Sequence, residues 1–197
     1  MKLRLHAFQP VSRSNGPGLR AVVWFQGCTL RCPGCFNPAT HDPRGGRDAD
    51  TQQLAAEILA IGDPIEGISL SGGEPLQQPE PLLDLLQRLA GTRLSRLLFS
   101  GYTLEEIKVM PLGPRILREL DVLIAGRYVA SRHLAHGLLG SANQCIHLLS
   151  DRYQMSDFTA IPRRELILHA DGTTTSTGIS PWRPLELGDV RRQDKRG

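Results

Sequence analysis

The chain is 197 residues long, enough for one domain with a substantial core, and 40% of its residues are hydrophobic against 22% charged, a balance that excludes an intrinsically disordered chain. No apolar run approaches the roughly 20 residues that a bilayer crossing needs, and Arg4 and His6 interrupt the opening MKLRLHAFQP where a secretory signal would be apolar. The formal charge of +3 is slight, and much of it sits in the tail, residues 189–197, which reads as a solvated terminus and argues against a nucleic-acid partner.

A first strand is expected over residues 3–8, followed by the glycine-proline turn SNGPGLR and a buried strand in LRAVVWFQG that runs into a cysteine cluster. Residues 51–61 read as a helix with Leu54, Ile58 and Ile61 on one face, Asp50 as N-cap and Gly62 just past its end. A short strand, EGISLS, spans 66–71. The next helix starts at Pro79 and Glu80, carries Leu82, Leu86 and Leu89 as its apolar stripe and stops at Gly91. A strand over 94–100, two short helical pieces near 103–108 and 115–119, and the strand DVLIAG at 121–126 follow.

Strands that alternate with helices predict an α/β fold with a parallel sheet, because a parallel pair needs a crossover connection. Ligands of such sheets bind at the carboxyl ends of the strands. Here those ends carry Gly27 and Cys28, then Ser71 to Glu74, then Ser100 to Tyr102, then Gly126 to Tyr128. The core is expected to span residues 1–150. Residues 151–197 read as an extension of it and not as an independent domain: RELILHADGTTTSTGI predicts a β-hairpin turning at Asp171 and Gly172, and the basic tail follows.

Three of the chain's four cysteines, Cys28, Cys32 and Cys35, fall within eight residues in the spacing C-x3-C-x2-C. A signal-free chain is expected in the cytoplasm, where close cysteines are metal or redox groups more often than structural bridges. A closed zinc site wants four N or S ligands, and His41 is a candidate fourth; a zinc-stabilised interaction module is therefore one reading. An iron-sulfur cubane held by three thiolates leaves one iron without a protein ligand, which is what a catalytic metal site keeps. Cys145 is a distant alternative fourth ligand, although a buried structural cysteine is its simpler reading. The second motif, LSGGEP at 70–75, is by itself a glycine-rich turn between strand and helix. Beside an open iron, its carbonyl groups and the Glu74 carboxylate suit an ammonium group, with Gly72 and Gly73 permitting close approach.

The pair GCTLRCPGCFN and LSGGEP resembles the radical S-adenosylmethionine superfamily, and within it the activating enzymes of glycyl-radical enzymes. NGPGLRAVVWFQGC resembles the lead-in of those activases, FSGYTLEE their segment after the third strand, and DVLIAGRY with GSANQ the branch that activates anaerobic ribonucleoside-triphosphate reductase. Phe36 and Asn37 match that branch, which lacks the aromatic other members place where Gly34 stands. Asn15 and Glu74 depart from it, each standing where an Asp is usual, and about fifty residues extend beyond GSANQ.

The resemblance implies a partial parallel (β/α) barrel, with a [4Fe-4S] cluster on Cys28, Cys32 and Cys35 that donates an electron to S-adenosylmethionine. The resulting 5′-deoxyadenosyl radical would take a hydrogen atom from a glycine of a partner enzyme, with a flavodoxin as electron donor. It implies Ser71, Gly72, Gly73 and Glu74 around the methionine part, Phe36 and Asn37 against the adenine, and Ser100 or Asn143 at the ribose. Plain structural roles compete: Phe36 as packing, Ser100 as a strand cap, Trp24 and Phe25 as core, and His41, His133 and His136 as surface residues. A radical enzyme acting on a small molecule or peptide is the second functional reading.

Overall fold

The computed structural model describes residues 1–179; the basic tail expected at 189–197 lies outside them. Seven strands form one mixed sheet. In chain order they are β1 (Lys2–Ser12), β2 (Arg20–Phe25), β3 (Arg47–Asp50), β4 (Gly67–Gly72), β5 (Ser95–Ser100), β6 (Val122–Ala125) and β9 (Cys145–Leu148), arranged in space as β3-β1-β2-β4-β5-β6-β9. The four central strands, β2, β4, β5 and β6, run parallel, as the alternation of strands and helices requires. The flanks differ from that rhythm. β1 pairs antiparallel with β2 and β3, and β9 antiparallel with β6, joined by segments that hold no α-helix. The sheet is thus α/β at its centre and strand-rich at its edges.

Four helices connect and cover the parallel strands: α1 (Thr51–Ile61), α2 (Pro79–Arg88), α3 (Leu104–Lys108) and α4 (Gly113–Arg118). Local chemistry sets their ends. The Asp50 carboxylate accepts hydrogen bonds from the Gln52 and Gln53 amides at the start of α1, and Gly62 ends it at φ 72°. α2 opens on Pro79 with Glu80 in its first turn. Thr103 and Glu106 form a reciprocal capping box on α3.

Because strand side chains alternate between faces, the parallel strands send Ala21, Val23, Ile68, Leu70, Leu98 and Leu123 into a core shared with the helices, where Leu82, Leu85, Leu86 and Ile116 are fully buried. The intervening residues face the other side. There a smaller cluster of Leu97, Val122, Ile124, Leu138 and Phe158 lies beside a polar spine of Arg20, Ser69 and Ser95.

The expected hairpin is present as β10 (Arg164–Leu168) and β11 (Thr174–Gly178), with Gly172 at φ 83° in its turn. A second small hairpin, β7 (His133–His136) with β8 (Leu139–Ser141), was not signalled by the sequence pattern. The segment from Tyr153 onward is tied to the core by polar contacts. Arg20 Nη1 donates to the Tyr153 hydroxyl at 3.1 Å, Ser12 Oγ and the Arg13 amide donate to Glu165 at 2.7 and 2.9 Å, and Asn15 Nδ2 donates to Thr177 Oγ1 at 2.8 Å. Cys145 departs from expectation: it is exposed on edge strand β9, opposite Ala125, because an edge strand covers only one flank of the sheet.

Candidate functional site

The strand β2 ends at Phe25, and the chain turns through Gly27, at φ 100°, into an irregular loop carrying the three cysteines. Backbone bonds shape this loop: the Gly27 amide donates to Thr40 O at 2.7 Å, Cys28 N to His41 O at 3.2 Å, and Cys35 N to Cys32 O at 3.1 Å. Arg31 at φ 45° and Gly34 at φ 73° make the left-handed bends between the cysteines. All three thiols are free and half-buried, and all three border one open cavity of about 350 Å³.

The end of β4 meets that loop. Gly73 N donates to Phe25 O at 2.8 Å and Glu74 N to Gly27 O at 2.9 Å. A Cβ on Gly72 would strike the Phe25 backbone, and one on Gly73 the Gly27 carbonyl. The sequence had assigned the close approach at this glycine pair to a ligand. The structure uses it first to seat β4 against the entry to the cysteine loop, so that both motifs form one rigid rim.

Glu74 is 1% exposed, and its carboxylate accepts from Ser100 Oγ and Leu76 N at 3.0 Å each and from Gly101 N at 2.7 Å. Burial pushes its pKa up to about 7, against the pull of those donors and of Arg127. The carboxylate therefore ties the end of β4 to the end of β5 while also lining the cavity. Ser100 serves this tie, donating to Glu74 and accepting from the Tyr102 amide at 3.0 Å. Burial also raises the Cys28 and Cys35 thiols, opposed by the amides of Leu30 and Arg31 and of Asn37. Thiolates so placed are stabilised by a bound cation.

The cavity wall contains Phe36, Asn37, Ser71, Gly72, Gly73, Glu74 and Ser100. It does not contain Asn143, whose side-chain amide donates to Arg127 O at 2.8 Å; the neighbouring Gln144 lines the cavity instead, its Oε1 accepting from Gly140 and Ser141 and its Nε2 donating to Gly126 O. Phe36 packs at 4.4 Å, tilted by 46°, on Tyr128, a wall residue from the strand end at Gly126 to Tyr128. Trp24, expected in the core beside Phe25, is only half-buried and faces the cavity, because it lies on the strand face opposite the helices. His133 and His136 are exposed, whereas His41 lines the cavity with a buried Nε2 that has no partner among the described residues. Alternation along the strands was the signal that would have moved Trp24 to the site; nothing in the local pattern identified Gln144.

Three soft sulfur donors on one loop suit iron-sulfur chemistry, and Cys145 is not among the cavity residues. Among the described residues no three His, Cys, Asp or Glu side chains are gathered to hold a single metal ion, whereas a zinc site sets its thiolates about 2.3 Å from one ion. The open cavity of about 350 Å³ that the three thiols border leaves room for a larger inorganic core. The polar rim, the unpartnered His41 nitrogen and a volume within the usual range for small-molecule sites fit a cosubstrate beside that core.

Comparison with known proteins agrees with this chemistry. The family model described as "4Fe-4S single cluster domain" matches residues 14–147. The chain is 33% identical to the anaerobic ribonucleoside-triphosphate reductase-activating protein of Salmonella typhi over 156 residues, covering 75% of this chain and 99% of that protein. It is 31% identical over 157 residues to the protein of the same name from Escherichia coli K12, with the same coverage. Against the pyruvate formate-lyase-activating enzyme of Clostridium pasteurianum the identity is 40% over 88 residues, 43% of this chain and 37% of that enzyme.

Proposed function

The chain belongs to the family of anaerobic ribonucleoside-triphosphate reductase-activating proteins, and on that premise we propose that it holds a [4Fe-4S] cluster on Cys28, Cys32 and Cys35, cleaves S-adenosylmethionine reductively and generates a glycyl radical on a partner reductase. The observation that carries this reading is the shared rim: the three thiols and the Ser71–Glu74 turn border one cavity at the carboxyl ends of parallel strands. The chemistry that these groups supply when bound is one-electron cleavage of the sulfonium carbon–sulfur bond, with hydrogen-atom transfer from a glycine Cα to the freed adenosyl carbon.

The chain's own residues bind and orient. The Gly72 and Gly73 backbone and the Glu74 carboxylate receive the ammonium end of the cosubstrate, Phe36 and Asn37 its purine, and Ser100, the one of the two expected ribose residues that lines the cavity, its ribose. Phe36, Tyr128 and Trp24 give the cavity apolar walls that exclude water from a reactive carbon. We further infer that the open sheet is the partial (β/α) barrel of this chemistry, that residues 1–150 are its core with 151–197 as an extension, and that the chain works in the cytoplasm with a low-potential donor such as a flavodoxin. No helix among the described residues is long and apolar enough to cross a membrane.

The test is anaerobic reconstitution with iron and sulfide, a low-potential reductant and S-adenosylmethionine. Brown protein that releases methionine and 5′-deoxyadenosine is the expected result, and Cys32→Ala abolishes the release. Cleavage that persists in Cys32→Ala, or one zinc in a colourless protein, overturns the assignment.

A further inference from the structure

The hairpin β10–β11 lies beyond residues 14–147, the part of the chain that the family model matches, yet it forms one wall of the cysteine cavity. Thr175, Ser176, Thr177, Gly178 and Ile179 all line that cavity, and no residue of β10 does. Alternate side chains of a strand point to opposite faces, so an unbroken run of lining residues means that the cavity meets β11 along its edge and not on a face.

The hydrogen-bond pattern identifies what that edge offers. Glu165 pairs with Thr177 and Ile167 with Thr175 in the antiparallel register; the Ile179 amide donates to Arg163 O, and the His169 amide to Thr173 O. Bonded pairs alternate along such a ladder. Thr175 and Thr177 therefore turn their backbone groups toward β10, and Thr174, Ser176 and Gly178 turn theirs outward. No described residue pairs with that outer edge, since the hairpin is a two-stranded sheet. Its position is fixed by Asn15 on Thr177 and by Ser12 and Arg13 on Glu165, and within the hairpin His169 Nε2 lies 2.8 Å from Thr175 Oγ1.

Resting on the activating function above, we propose that the outer edge of β11 is the docking edge for the protein substrate. It receives an extended, glycine-bearing segment as an added strand through the N–H and C=O groups of Ser176 and Gly178. Strand edges recognise extended backbone, and an added strand lies about 4.8 Å from β11, along the mouth of the open cavity that the cysteine loop also borders. The wall's small, uncharged side chains select for backbone over side-chain identity. A glycine at the facing position brings a bare Cα to the rim without a side chain in the way.

Proline at an outward position tests this, because it deletes an edge donor and spares the ladder to β10. With the anaerobic ribonucleoside-triphosphate reductase of this chain's own source organism as probe, Ser176→Pro raises KM for the reductase about tenfold, the equivalent of one lost hydrogen bond. Leu166→Pro, the matching change on the far edge of the same hairpin, leaves KM at the wild-type value. Hydrogen exchange on the wild-type complex supplies a second readout: the reductase protects the amides of residues 174, 176 and 178, while those of 175 and 177 are protected already. An unchanged KM in Ser176→Pro, or edge amides protected in the isolated full chain by its own residues 180–197, overturns the docking edge. If the wild-type chain forms no glycyl radical by electron paramagnetic resonance, the activating function fails instead, and the alternating amide pattern alone decides the edge.

Discussion

The two faces of the central sheet come from the same strands and are built on opposite principles. Toward the helices, Ile68, Leu70, Leu98 and Leu123 pack into one continuous apolar core with the leucines of α2. One residue along each strand, on the other face, the sheet carries Arg20, Ser69, Trp24 and Ser71, a small apolar cluster and a cavity. The helix face is held by apolar burial, which is non-directional and tolerant of volume-conserving exchange. The cavity face is held by hydrogen bonds that specify positions atom by atom.

Arg20 is the centre of that second face. It is fully buried, and its guanidinium donates to Ser69 Oγ at 2.8 Å, Ser95 Oγ at 2.8 Å, Ile68 O at 2.6 Å, Ser95 O at 3.1 Å and Pro17 O at 3.2 Å. No carboxylate pairs with it in the described residues, and burial lowers its pKa while Tyr153 and the more distant Asp121 and Glu66 oppose the shift. It laces β2, β4 and β5 together and reaches the segment from Tyr153 onward through the Tyr153 hydroxyl. The arginine of the GPGLR lead-in thus supports the cavity from within the fold and is not among the residues that line it.

Breaking the cavity face therefore costs more per atom than trimming the helix face. The largest effect is expected for Arg20→Ala, which strands several buried acceptors at once and lowers stability by about 3–5 kcal/mol in urea titrations. A loss under about 1 kcal/mol would return Arg20 to the status of a passenger. The next effect is pH-dependent and belongs to Glu74. Its pKa in the folded chain, about 7 against an ordinary 4.5, means that the folded state binds the proton more tightly than the unfolded one. The stability this contributes is fully present below 4.5 and is lost as pH rises through 7, an amplitude of about 3 kcal/mol. Glu74→Gln removes that slope, and denaturation midpoints at pH 5 and pH 8 measure it. The smallest effect sharpens the link to the segment from Tyr153 onward. Tyr153→Phe deletes the hydroxyl that meets Arg20 Nη1 at 3.1 Å and Ser95 Oγ at 2.5 Å but keeps the ring beside Phe158; it costs about 1 kcal/mol, with faster hydrogen exchange confined to residues 153–179.

The sequence alone made the local signals legible. Asp50, Gly62, Pro79 and Thr103 mark helix ends through bonds within a few residues, so α1, α2 and α3 fall where capping chemistry puts them. The parallel centre follows from the crossover rule. Strands β3, β7, β8 and β9 were not legible, since each is only three or four residues long and exists by pairing with a distant or irregular partner. At the site, the cysteine loop and the Ser71–Glu74 turn were legible because their spacing is itself the chemistry, and the strand-end rule brought them to one edge.

What the sequence by itself determined was the donor set: three thiols, a glycine pair and a carboxylate, whose character does not depend on where the chain places them. Only the tertiary structure decided how they are used. Gly72 and Gly73 admit the chain's own backbone at Gly27, Glu74 ties two strand ends together, and Gln144 takes the wall position expected for Asn143. Cys145 turns outward, and Trp24 turns into the cavity. Each of these depends on strand face and on contacts between residues far apart in the chain, and no local pattern encodes that information.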